Sequence, residues 1–178
     1  MNIYVDNSII SGIVRHDWDK KFNDEIAWER IRDHELVNMV VSSVTYKEIN
    51  GADSEIKKDL LKIADGFKCI QLPTLSYGNV PFGQSRGSTQ DPSLTQLRKI
   101  FTPLVKKDSA PKLENARGKA LTNDADHIYR AYSSGCDYFL TVDRKAIKRY
   151  LKNQKKVKNY IGKMEIIDPP ALWNLLDS

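Results

Sequence analysis

Five short apolar runs, at residues 2–5, 37–43, 69–72, 138–142 and 164–167, alternate with stretches whose apolar residues recur at helical spacing. Strands joined through helices run parallel, and the joining helices cover the faces of the sheet they form. The alternation therefore predicts an α/β protein, a three-layer α/β/α sandwich around a mainly parallel sheet of about five strands. The 178 residues suit one domain, spanning 1–178, with enough chain to bury a core without disulfide or metal staples.

Between the strands the spacing predicts helices. Trp18, Phe22 and Ile26 recur every four residues and suggest an amphipathic helix running to about Arg32. Tyr46, Glu48 and Ile49 follow the second strand on another helix. Asp53 or Ser54 looks like the cap of a third that ends near Ala64. The stretch 74–92 holds three glycines and two prolines with little periodicity and reads as a loop or insertion. Helical spacing resumes over 93–105, and a polar stretch over 106–121 leads to a helix opened by Asp124 and ended near Gly135. After the fourth strand, 144–151 reads as helix, and Pro169-Pro170 start a last short one.

Four acids stand out by position. Asp6 follows the first strand, Glu48 the second, Asp143 the fourth, and Asp124 begins its helix. In an open parallel sheet the carboxyl ends of the strands converge on one crevice, where ligands bind. Each acid also has an ordinary explanation, since Asp is a favoured helix N-cap and Glu48 suits an exposed helix surface. Those explanations imply no shared location, whereas the topology does. Four carboxylates in one crevice repel one another unless a cation joins them, and carboxylate oxygens suit Mg²⁺ or Mn²⁺. Such ions lower the pKa of a bound water and neutralise a phosphodiester.

The segments Val5-Asp6-Asn7-Ser8, Ser43-Val44-Thr45-Tyr46-Lys47-Glu48-Ile49, Asn123-Asp124-Ala125-Asp126-His127 and Phe139-Leu140-Thr141-Val142-Asp143, in this order, resemble the PIN-domain ribonucleases. Many of these are toxins of toxin–antitoxin pairs. The resemblance covers nearly the whole chain. It implies a Mg²⁺- or Mn²⁺-dependent endoribonuclease with Asp6, Glu48, Asp124 and Asp143 as catalytic and metal-binding acids. It also implies Ser8 as a small hydroxyl beside the first of them. Asn7 and His127 would lie near the same site. His127 shares a helix face with Asp124, though packing or capping is the more ordinary role for it. Single-stranded RNA is the expected substrate, because an A-form duplex hides its bases from side chains.

Charge adds a second signal. The net charge is +5, yet nine basic residues and no acid lie between Arg144 and Lys163, so the rest of the chain is net negative. Lys145, Lys148, Arg149 and Lys152 fall on one helical stripe, with Ala146, Ile147, Tyr150 and Leu151 on the packing side. A basic stripe beside an acid crevice suits phosphate contacts to RNA, although a solvated helix face explains it as well.

Other chemistries fare worse. Gly78-Asn79-Val80-Pro81-Phe82-Gly83-Gln84-Ser85 has Gln84 where a phosphate-binding loop needs lysine. Cys69 and Cys136 share no metal spacing with His16, His34 or His127. Two isolated thiols, no signal-like start and no apolar run of membrane length point to the cytoplasm. A catalytically silent RNA- or protein-binding module and a metal-dependent DNA nuclease are the competing readings. An antitoxin protein and a second copy of the chain, as a homodimer, are further partners left open.

Overall fold

The computed structural model of the protein describes residues 1–70, 91–101 and 116–178, the last span with side chains from Asp124 onward. It contains strands β1 (Asn2–Val5), β2 (Asn38–Ser42), β3 (Lys68–Ile70), β4 (Tyr138–Leu140) and β5 (Glu165–Ile167). The helices are α1 (Asn7–Arg15), α2 (Asp24–Ile31), α3 (Ser43–Asn50), α4 (Ser54–Ala64), α5 (Pro92–Phe101), α6 (Ala116–Ser133), α7 (Arg144–Ile161) and α8 (Pro169–Leu176). A short 3-10 turn, Lys20–Phe22, precedes α2. The stretch read as a loop at 74–92 lies outside the described residues except for Asp91 and Pro92. So do residues 71–72, most of the polar stretch 106–121, and the expected end of the 93–105 helix.

The five strands form one sheet in the order β3-β2-β1-β4-β5, and every neighbouring pair is parallel. The three-layer expectation holds. On β1, Ile3 and Val5 face one core, with Met39, Val41 and Leu140 beside them and Ile9, Ile31, Leu60 and Leu172 arriving from helices. Tyr4 faces the other core, with Val40, Phe139 and Ile166 and with Leu97, Ile128 and Val157 above them. The alternation follows from the two-residue repeat of a strand. Helices α1, α2, α4 and α8 therefore cover one face, and α5, α6 and α7 the other.

This layering fixes a crevice. Right-handed crossovers from β1 towards β2 and β3 place their helices on one face. The crossover from β4 to β5, in the opposite direction, places α7 on the other. The connections diverge between β1 and β4, which is the switch point of a doubly wound sheet. The Asp6 amide donates to Leu140 carbonyl oxygen at 3.0 Å, holding the two strand ends together there.

Three local expectations need correction. The Trp18–Phe22–Ile26 spacing does not mark one helix: Asn23, with φ 55°, separates the 3-10 turn from α2. Trp18 is buried, but Ile26 is 58% exposed. Four-residue recurrence cannot reveal a left-handed residue in between. Trp18 instead lies against α1, where a β-carbon on Gly12 would come within 3.1 Å of its ring, so the absence of a side chain there permits the packing. Helix α6 begins eight residues before Asp124, because Ala116-Arg117-Gly118-Lys119-Ala120-Leu121 is itself largely composed of good helix formers. Asp124 therefore lies in mid-helix, away from the positive end. Helix α7 continues to Ile161 through a non-helical Asn153, and Leu151, expected on the packing side, is 61% exposed.

Candidate active site

Asp6 leaves β1 in extended conformation and makes no side-chain cap on α1, so the capping explanation does not apply to it. Its Oδ2 accepts from Ser8 Oγ at 2.6 Å and from Thr141 Oγ1 at 2.7 Å. The two hydroxyls are 3.0 Å apart, and Ser8 Oγ accepts from the Val142 amide at 3.2 Å. One carboxylate oxygen of Asp6 is thus held by hydroxyls from α1 and from the segment after β4. Thr141 is fully buried, and it was not singled out from the sequence although it stands two residues before Asp143. Asn7, the first residue of α1, has a buried Oδ1 with no hydrogen-bond partner among the described residues.

Asp143 does act as a helix cap. Its Oδ1 accepts from the Lys145 amide at 2.7 Å and the Ala146 amide at 3.3 Å. The Thr141 hydroxyl accepts from the Asp143 amide at 3.1 Å, linking this turn to the Asp6 cluster.

Asp124 reaches the same place from α6. Burial, followed by the fields of Asp6 and Asp143, pushes its carboxyl up to about 7, with His127 and Arg149 acting the other way. Asp126, two positions on, points elsewhere and pairs with Arg98 of α5 at 2.8 Å. Two residues along a helix turn a side chain by roughly 200°, which accounts for the split. Asp126→Asn should accordingly keep most of any activity of this site and lose only the modest worth of a half-exposed ion pair, about 1 kcal/mol or less. A large activity loss in that variant would show that the cluster extends further round α6.

Glu48, near the end of α3, lies 3.1 Å from Nε2 of His127, close enough for an ion pair but not aligned as a hydrogen bond. His127 is fully buried, and its Nδ1 is 2.6 Å from the Tyr4 hydroxyl. Burial pulls the imidazole towards its neutral form, but Glu48, Asp6 and Asp124 together outweigh that, and the net shift is upward. Asp124 thus lies in the field of Asp6 and Asp143, and His127 in the fields of Glu48, Asp6 and Asp124. Among the described residues, no three Asp, Glu, His or Cys side chains stand close enough to form a closed metal-ligand set.

No protein-family model matches the chain, and no curated protein or solved structure matches it.

The basic stripe divides. Lys145, Lys148 and Lys152 are exposed, whereas Arg149 is half-buried and donates to the Phe101 carbonyl at 2.6 Å, satisfying an orphan acceptor at the end of α5. Its charge also lies in the field of Asp124. Arg149 is therefore a structural tie and a counter-charge, and the exposed face continues through Lys155 and Lys156. The clearest pockets among the described residues lie at the opposite, amino ends of the strands, one lined by Cys136, Asp137 and Lys163, the other by Met39, Phe67 and Lys68. They hold none of the four acids. No helix among the described residues is long and apolar enough to cross a membrane.

The raised Asp124 carboxyl has a measurable consequence. An unfolded Asp titrates near 3.8 and this one near 7, so the metal-free fold binds the proton more tightly than the unfolded chain. The stabilisation is full below about pH 4 and is lost as pH rises through about 7. Denaturation at about pH 5 and pH 8 should show a fall of roughly 1–3 kcal/mol, allowing for partial solvent screening, that Asp124→Asn removes. An equal fall in both proteins would place the effect on another group.

Proposed function

We propose that the protein is a Mg²⁺- or Mn²⁺-dependent endoribonuclease of the PIN-domain type, hydrolysing phosphodiester bonds of single-stranded RNA. The observation that carries this reading is the convergence of Asp6, Asp124 and Asp143, from three separate segments, on the switch point of the sheet, where the fields of Asp6 and Asp143 help to raise the proton affinity of Asp124. A structural role gives no reason to gather like charges there, and a divalent cation does.

The donor set suits such an ion. All four acids supply hard oxygen donors, and Mg²⁺ commonly keeps several waters and takes few protein ligands, so a closed protein cage is not required. Asp6, Asp124 and Asp143 would hold it, with Glu48 as a ligand or as the group that orients the attacking water. When bound, the ion supplies charge neutralisation at the phosphate and acidifies a coordinated water. The chain's own groups do the rest. Ser8 and Thr141 fix one oxygen of Asp6 and leave the other uncommitted among the described residues. The helix turn of α7 fixes Asp143. The lysine face beginning two residues after Asp143 draws in the RNA backbone without reading its sequence.

Cleavage of single-stranded RNA in Mn²⁺, Mg²⁺ or EDTA tests the reading, with DNA of the same sequence alongside. Metal-dependent RNA cuts that EDTA stops support it, and preferential DNA cleavage would reassign the substrate. A second reading, a silent RNA-binding module, is favoured by one observation: Asp143 is already engaged as a cap and Glu48 with a buried histidine. Mn²⁺ titration separates the two, since ligand binding raises the melting temperature by mass action and a silent module need show none.

Replacing Lys145, Lys148 and Lys152 with Gln should weaken RNA binding irrespective of sequence. It should also flatten the log–log salt slope by roughly 2, at about 0.7 per lost phosphate contact on a single strand. Salt titrations of wild type and variant provide the comparison. An unchanged slope would remove this face from the RNA path.

A further inference from the structure

Tyr4, Ser42 and His127 are polar groups buried in the core beneath the acid cluster. The Val44 amide donates to Ser42 Oγ at 3.2 Å, Ser42 Oγ is 2.7 Å from Tyr4 Oη, and Tyr4 Oη is 2.6 Å from His127 Nδ1. The chain of contacts ends where His127 Nε2 meets the Glu48 carboxylate at 3.1 Å. For a neutral imidazole one assignment satisfies both hydroxyl links and leaves Nε2 facing Glu48 without hydrogen-bond alignment. The Ser42 hydroxyl donates to Tyr4, the Tyr4 hydroxyl donates to Nδ1, and the remaining ring proton sits on Nε2, towards Glu48.

The links join the segments that carry the acids. Tyr4 is two residues before Asp6 on β1, Ser42 caps the helix that bears Glu48, and His127 is one turn beyond Asp124 on α6. Packing alone does not call for this arrangement. An imidazole with 1% of its side chain exposed is costly unless its nitrogens have partners, and an aliphatic residue would fill the same core at less cost. Glu48 has no other side-chain partner among the described residues and three side-chain torsions to restrain, so an imidazole fixed from behind is what gives it a direction.

The geometry points to His127 as a positioning residue, which, held by the Ser42–Tyr4 hydroxyl chain, aims the Glu48 carboxylate at the Asp6–Asp124–Asp143 cluster. The assignment rests on the nuclease reading above. It gives Glu48 a defined orientation despite its long side chain, and it makes Tyr4 and Ser42 supports of the site as well as parts of the core.

The test uses amides of two lengths. In His127→Asn the amide can occupy the Nδ1 position and keep Tyr4, but it falls short of Glu48. In His127→Gln the amide reaches the Nε2 position. On single-stranded RNA with Mn²⁺, His127→Asn should lose roughly 10- to 100-fold, the usual cost of removing a group that orients a metal-site carboxylate. The loss should fall in kcat with KM little changed, and His127→Gln should recover most of it. Glu48→Gln should cost about as much, and adding His127→Asn to it should cost little more. Tyr4→Phe, which cuts the chain one link further back and keeps the ring, should lower kcat in the same direction and serves if His127→Asn does not fold. Wild-type activity in His127→Asn, equal impairment by Asn and Gln, or additive losses with Glu48→Gln would overturn the assignment alone. If the wild-type protein neither cleaves RNA nor gains melting temperature with Mn²⁺, the nuclease reading falls first and this assignment with it.

Discussion

Asp6→Asn is expected to lower metal-dependent RNA cleavage by more than the roughly 100-fold that loss of a group supporting a metal ligand costs. Asn preserves the shape of the side chain and can still accept from the Ser8 and Thr141 hydroxyls, so the turn after β1 should stay folded. What disappears is a negative charge at the switch point. Without metal the variant should be as stable as wild type or more so, because Asp124 is relieved of one of the two acids that raise its carboxyl. The Mn²⁺-induced rise in melting temperature should shrink or vanish. Groups that act together lose their effect together, so Asp6→Asn combined with Asp124→Asn should cost little more than either alone. Full activity in the single variant would remove Asp6 from the site. Losses that multiply would mean that the two acids serve separate ends.

Arg144→Met should destabilise the fold by about 3–5 kcal/mol, the usual cost of stranding a buried charge. For a chain of this size that is a fall of roughly 6 to 20 °C in melting temperature. Arg144 opens α7 beside Asp143. Its guanidinium pairs with Asp24 of α2 and Asp168, the cap of α8, and lies 4.0 Å from the centre of the Phe22 ring. Asp24 is 2% exposed, and burial holds its carboxyl above the usual range even with the arginine opposing the shift. Without Arg144 it would be driven further towards the neutral form. A carboxyl whose folded pKa is raised favours the fold as pH falls, so the deficit of the variant should narrow on acidification. Adding Asp24→Leu should restore part of the loss by removing the stranded charge. Denaturant melts of the two variants and the pair decide the matter. A cost below about 1 kcal/mol would show that the cluster behaves as a surface ion pair.

Much of the architecture was legible in the chain itself. Short apolar runs followed by helical spacing can bury both faces only as a parallel sheet with helices on each side, and the five strands lie close to where the pattern places them. Asp6 and Asp143 were legible for the same reason, since each directly follows a strand or the short segment that continues it. Asp124 was identified for a partly wrong reason. It does not open α6, yet it faces the crevice because the helix phase, not the helix end, sets the direction of its side chain. Arg149 and Leu151 were assigned to the wrong surroundings. A single helix pattern gives the relative faces of residues, but it cannot say that another helix ends against Arg149 or that nothing covers Leu151.

The sequence by itself determined the alternation of strands and helices, the sheet it implies, and which acids follow strands, because these depend on spacings of a few residues. Only the tertiary structure decided that Asp6 is braced by Thr141, that Asp143 is also a cap, that Asp126 turns to Arg98, and that His127 meets Glu48 while Tyr4 holds it from below. Those facts depend on which of two strands or helices come within about 3 Å of each other. Pairs 79 or more positions apart, such as Asp6 with Thr141 and Glu48 with His127, leave no periodic mark on the chain. Their chemistry is set by the order of the strands and by the side of the sheet on which each helix crosses.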